Sequence, residues 1–160
     1  MKKQKYTIDE AVDRLEKFCA DQERSHHQIE KKLYQYGMPR DCHDEILLSL
    51  IQDNFLNEER FAEAYCRGKT RINQWGRMKI RQGLQQHRVS EYNIESALDQ
   101  IDSESYKENM RDLMDRKYRY WPASLSTSEK KQKTVRYLLQ RGYLYDEIRS
   151  VLEAYLQELP

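Results

Sequence analysis

Five glycines and three prolines serve a chain of 160 residues, so backbone chemistry encodes few turns, and long segments with short connections are favoured. Long apolar runs are missing too. No stretch nears the roughly 18 residues that a membrane-spanning helix needs. Residues 1–5 are basic, but Tyr6 to Glu10 do not continue them into the apolar stretch of a signal peptide. The expectation is a cytoplasmic protein that engages no membrane. Strand-like alternation bounded by turns does not persist anywhere, which argues against a sheet. The three cysteines, Cys19, Cys42 and Cys66, are odd in number, and their spacings match no metal or redox signature. Cys19 and Cys42 fall on apolar helical positions, where buried reduced thiols are expected.

Chemistry-bearing constellations are also lacking. His26, His27, His43 and His87 show no Cys/His or Glu/His ligand spacing. Gly76 and Gly83 lie in a basic segment without the Lys-Ser/Thr ending of a phosphate loop. Carboxylates are plentiful but scattered over helical faces. No acid, base, nucleophile and oxyanion donor can be grouped by spacing. These absences predict a protein that is not an enzyme and that uses no metal and no cofactor.

What is present is helical. Charged residues are 34% and hydrophobic residues 38% of the chain, a mixture suited to helices with one narrow apolar stripe. Thr7 with Glu10, Ser25 with Gln28 and Ser126 with Glu129 have capping-box spacing. Asn57 is a further N-cap, followed by Glu58 and Glu59 where the helix dipole favours anions. Pro39 sits where a helix can begin, and Gly37 and Gly142 have the place of C-terminal stops. Between these marks the apolar residues are spaced helically: Ile8, Val12, Leu15 and Cys19, then Ile29, Leu33 and Tyr36, then Cys42, Ile46, Leu47 and Leu50.

One of these patterns recurs. Leu33, Gly37-Met38, Ile46-Leu47 and Leu50 return as Leu84, Arg88-Val89, Ala97-Leu98 and Ile101. They return again as Leu138, Gly142-Tyr143, Val151-Leu152 and Tyr155. A turn and two helices keep register together in all three copies, so a three-helix unit is repeated, its core completed by stacking on its neighbours. The expected architecture is all-α: three tandem three-helix repeats at 7–55, 56–102 and 103–160, forming an elongated, curved helical array and a single structural unit. Trp121-Pro122-Ala123-Ser124 is an insertion in the third repeat, expected as a loop between its first two helices.

The net charge of +1 conceals blocks of opposite sign. Residues 64–90 hold seven cations and no carboxylate, residues 91–105 five carboxylates and no cation, and residues 106–141 ten cations against four carboxylates. The first basic block contains Arg67, Lys69, Arg71, Arg77, Lys79, Arg81 and Arg88, around a turn at Trp75-Gly76. Arg77, Arg81 and Arg88 have the spacing of one helix face, with Ile80 and Leu84 turned to the core. The second contains Arg111, Arg116, Lys117 and Arg119 with Tyr118, Tyr120 and Trp121 interleaved, and runs on through Lys130, Lys131, Lys133, Arg136 and Arg141. Cations with aromatics suit single-stranded nucleic acid, where bases stack and phosphates pair. They equally suit an acidic protein groove. Replacing Arg77, Lys79 and Arg81 together is expected to weaken partner binding without loss of helicity.

These residues resemble a known family. Phe55-Leu56-Asn57-Glu58-Glu59-Arg60-Phe61-Ala62 looks like the opening of the second repeat in RecX-type recombinase regulators. Gly76-Arg77 with Ile80 and Leu84 is similar to that family's next element. Ala11, Leu15, Ser25, Leu33 and Gly37 match its first repeat, and Tyr137 to Tyr143 the ending of its third. A monomer is expected, and the resemblance implies a modulator that lodges in the groove of the RecA filament on single-stranded DNA. There it opposes strand exchange, ATP hydrolysis and the coprotease activity, and so acts in DNA repair and the SOS response. A stand-alone helical module for single-stranded nucleic acid and a scaffold for an unrelated acidic protein remain the alternatives. The chain departs from the family pattern at Asn57, where Asp is common, and at Arg88, where a small residue or Gly is usual and the turn is expected to close differently.

Overall fold

The computed structural model describes residues 3–160. The described residues form helices and connections without a strand: α1 (Ile8–Asp21), α2 (His26–Gln35), a single 3-10 turn (Arg40–Cys42), α3 (His43–Gln52), α4 (Glu58–Arg71), α5 (Arg77–Gln86), α6 (Glu91–Asp99), α7 (Ser103–Tyr120), α8 (Thr127–Gln140) and α9 (Tyr145–Glu158).

The helices start where their caps are. Thr7, Ser25 and Ser126 each accept from the backbone N–H three residues on, while Glu10, Gln28 and Glu129 reach back to the cap. The Asn57 side chain accepts from the Arg60 N–H at 2.9 Å. Pro39 instead precedes the 3-10 turn, and α3 begins at His43. The insertion lies between α7 and α8, as expected.

The second helix of each triplet ends alike. Gly37, Arg88 and Gly142 all have positive φ (68°, 58° and 98°). In each turn the following N–H reaches back five residues, Met38 to Leu33, Val89 to Leu84 and Tyr143 to Leu138. The N–H of the left-handed residue itself reaches back three, to Tyr34, Gln85 and Leu139. This is the Schellman arrangement, which satisfies carbonyls at a helix end. Arg88 therefore closes its turn as the glycines do, contrary to the sequence expectation, because the hydrogen-bond pair holds a conformation that an L side chain merely disfavours. Arg88 also lies beyond the end of α5, so it does not extend the face of Arg77 and Arg81.

The described residues pack as two compact units. The first runs to Ala64 and takes in Leu84–Ala97; the second comprises Tyr65–Gly83 and Leu98–Pro160. Ala11, Leu15, Cys19, Ile29, Leu33, Met38, Ile46, Leu50 and Leu56 form a core in the first. Tyr106, Met110, Leu113, Met114, Leu138, Tyr143, Ile148, Leu152 and Tyr155 form one in the second. His43, Ile94 and Ile148 occupy equivalent places in the third helices and are all buried. A histidine fills this apolar column because its Nε2 lies 3.0 Å from the Met38 carbonyl oxygen and its ring packs edge-on against Tyr34. Cys19 and Cys66 are buried, whereas Cys42, in the 3-10 turn, is only half-buried.

Candidate functional site

Every predicted site residue except Arg88 belongs to the second unit. Arg88, in the first, is exposed and makes a long ion pair with Glu30 at 3.9 Å. Within the second unit most of the predicted cations fall into three sets.

Some hold the unit together. Gly76 and Gly142 bring the α4–α5 turn against the α8–α9 turn. The Gly76 N–H donates to the Arg141 carbonyl at 2.8 Å and the Met78 N–H to the Gly142 carbonyl at 3.0 Å. The Arg141 guanidinium donates to the Asn73 carbonyl, and the Tyr143 hydroxyl to the Gln74 carbonyl. Arg77 lies 4.1 Å from the Tyr106 ring centroid and pairs with Glu147 at 3.3 Å, while its backbone N–H donates to the Tyr106 hydroxyl. Burial is the main force pushing the Tyr106 hydroxyl up to about 12. Arg77 is thus part of the packing between α5, α7 and α9. Replacing Arg77 together with Lys79 and Arg81, expected to leave helicity intact, also removes this internal contact.

Others are tied in surface pairs: Arg111 to Glu158, Arg116 to Asp112, Arg119 to Asp115. Such exposed pairs are worth little and can exchange partners. Asp115 also accepts from the Tyr155 hydroxyl at 2.9 Å, which, ahead of Arg119, holds its carboxyl below the usual range.

A third set gathers with aromatics. Lys69 and Lys79 each lie 4.6 Å from the Trp75 ring centroid, joining the end of α4 to the start of α5. Along α7 and α8, Lys117 approaches Tyr137 (4.4 Å), Tyr120 and Trp121; Lys130 approaches Tyr118; Lys133 approaches Trp121. The Trp121 indole N–H donates to the buried Thr134 hydroxyl at 3.0 Å, which in turn donates to the Lys130 carbonyl. That bond fixes the ring as a ledge beside the cations. Tyr120 next to it is 75% exposed. Fixed aromatic faces with mobile ammonium groups are the components of a stacking and phosphate-pairing surface. Sequence reasoning missed Tyr137, whose place opposite Lys117 depends on how α7 and α8 pack. Arg67 and Arg71 are exposed on α4. Arg81 is half-buried. Lys131 and Arg136 project from α8 into a different surface, a groove lined by α8 and α9.

Among the described residues no three of His, Cys, Asp and Glu come together as a metal-ligand set, and no helix is long and apolar enough to cross a membrane. Three-helix repeats closed by equivalent Schellman turns, with a cationic and aromatic face on one unit, define a helical repeat protein. Residues 57–98 match the second three-helix domain of RecX, and residues 104–152 the third. The chain belongs to the RecX family. It is 28% identical to the regulatory protein RecX of Clostridium tetani, over 88% of this chain and 64% of that one. It is 33% identical to that of Clostridium perfringens strain SM101, over 78% and 58%. It is 29% identical to that of Neisseria meningitidis serogroup C, over 96% and 93%. The chain therefore spans about six-tenths of the length of the clostridial relatives. The crystal structure of RecX from Lactobacillus salivarius shares the fold, with a TM-score of 0.84, 23% identity, and coverage of 94% of this chain and 97% of that one.

Proposed function

We propose that this protein binds the RecA filament on single-stranded DNA and inhibits its recombinase, ATPase and coprotease activities, as a modulator without chemistry of its own. Such a partner places it in the cytoplasm, and a monomer suffices for the contact. Membership of a family of regulatory proteins named RecX supports this reading. The observation that carries it is the cluster of Lys117, Tyr118, Tyr120, Trp121, Lys130 and Lys133 on α7 and α8. It offers base-stacking rings and phosphate-pairing ammonium groups together. The repeat boundaries at 7–55, 56–102 and 103–160 are proposed with it, the last two as the carriers of binding.

The test is RecA's DNA-stimulated ATP hydrolysis and strand exchange with stoichiometric purified protein. Inhibition of both is expected; rates unchanged from the protein-free control sink the proposal. The exposed ring of Tyr120 favours one second reading, a module that binds single strands alone. Co-sedimentation separates the two: retention on RecA filaments but not on bare single strands supports the first, and equal retention on both the second.

A further inference from the structure

The aromatic ledge takes up only one side of α8. On its other side, α8 and α9 line an open groove of about 560 Å³. Its floor is aliphatic: Val135 and Leu139 from α8, Leu152 and Leu156 from α9. Leu139 is 46% exposed, and Tyr145 at one end is 55% exposed. Exposed apolar side chains that adjoin one another in a channel mark an interaction surface.

The rim carries a definite charge. Arg149 is offset by Glu153 at 3.2 Å. Lys131 and Arg136 have no carboxylate within ion-pairing distance among the described residues, so the groove is left positive. Both lie on α8 away from the aromatic ledge, to which Lys130 and Lys133 turn. The floor does not suit nucleic acid, because branched aliphatic side chains give bases no flat ring to stack on. It does suit the apolar stripe of an amphipathic helix, whose side chains at helical spacing fill a groove between two helices.

We propose that the α8–α9 groove takes an acidic amphipathic helix of a protein partner, with its apolar stripe on Val135, Leu139 and Leu152 and its carboxylates against Lys131 and Arg136. This surface is separate from the aromatic ledge, and the proposal does not depend on RecA being the partner.

The test uses the full chain and a fluorescein-labelled synthetic helix of the length of α9, 14 residues, with leucines at helical spacing and glutamates flanking them. A second peptide carries lysine for every glutamate. Fluorescence anisotropy is expected to show saturable binding of the acidic peptide and at least roughly tenfold weaker binding of the basic one. Leu139→Glu with Tyr145→Glu, both at exposed positions, should abolish binding while the far-UV circular dichroism stays unchanged. Lys131→Glu with Arg136→Glu should reverse the preference between peptides, an outcome that misfolding cannot produce. Lys117→Gln, Lys130→Gln and Lys133→Gln together should leave peptide binding as it was. Equal affinity for both peptides, or binding indifferent to the groove substitutions, overturns the proposal. So does displacement of the acidic peptide by single-stranded DNA, which would make the occupant a nucleic acid. Self-association abolished by Leu139→Glu would make it a second copy of this chain. Failure of the ATPase test with success here discards only the RecA reading, and the reverse discards only the groove.

Discussion

Burial keeps the Cys19 thiol protonated, raising it from 9.0 to about 11 in spite of nearby Arg24. The folded state holds that proton more tightly than the unfolded chain, so the contribution is full below pH 9 and is lost as pH rises through 11. Chemical denaturation across this interval should show stability falling by about 2 kcal/mol from this residue, and Cys19→Ala should flatten the slope. The same burial governs reactivity. In the native protein a thiol reagent followed by mass spectrometry should modify half-buried Cys42 first, while Cys19 and Cys66 wait for opening of the structure. Modification of Cys19 as fast as Cys42 would contradict this packing.

Among the elements, the three Schellman turns supply an internal control. Two use glycine and one uses Arg88 at φ 58°. A left-handed L residue costs roughly 1–2 kcal/mol, while glycine loses about 0.5–1 kcal/mol more chain entropy on folding. The exposed pair to Glu30 returns little. Arg88→Gly should therefore stabilise the protein by about 0.5–1 kcal/mol in urea titrations, and a loss of stability would mean that the arginine side chain is held by more than its surface pair. Gly76 and Gly68 make the opposite comparison. A Cβ at Gly76 would meet the Gly142 backbone, whereas one at Gly68 meets nothing within 4 Å. Gly76→Ala should cost roughly 3 kcal/mol or more through backbone displacement. Gly68→Ala, in the middle of α4, should gain up to about 1 kcal/mol. Sequence alone places Gly76 at a turn but not against residue 142, whose backbone sets the cost of a Cβ there.

For the whole molecule, the distribution of charge decides how it meets a partner. Lys117, Lys130 and Lys133 hold aromatic rings rather than carboxylates, and under the proposed function they are the groups that pair with phosphates. Changing all three to Gln should weaken binding to filament or single strands and reduce the slope of log affinity against log salt by about 2, at roughly 0.7 per phosphate contact. Changing Lys31 and Lys32, in the first unit, should leave that slope alone. An unchanged slope in the triple variant would move the contact elsewhere.

Helix starts, helix stops, the threefold recurrence and most core positions were legible in the sequence because each depends on neighbours within a few residues. A Ser with Gln three residues later, or a leucine five residues before the end of a turn, acts through local backbone geometry. The family could be named from the same ordered, local motifs. The functions of individual cations were not legible. Arg77 and Arg141 look like their neighbours in sequence, yet Glu147, Tyr106 and Asn73, brought close by packing, turn them into internal links. Consecutive residues of α8 were assigned to different surfaces, Lys130 to an aromatic ledge and Lys131 to an aliphatic groove, because a helix turns about 100° per residue and only its partners decide what each side faces. The sequence by itself determined where helices form and how they repeat, through short-range hydrogen bonds and apolar spacing. The tertiary structure decided which charges are tied into internal contacts and which stay on the surface, since that depends on residues far apart in the chain.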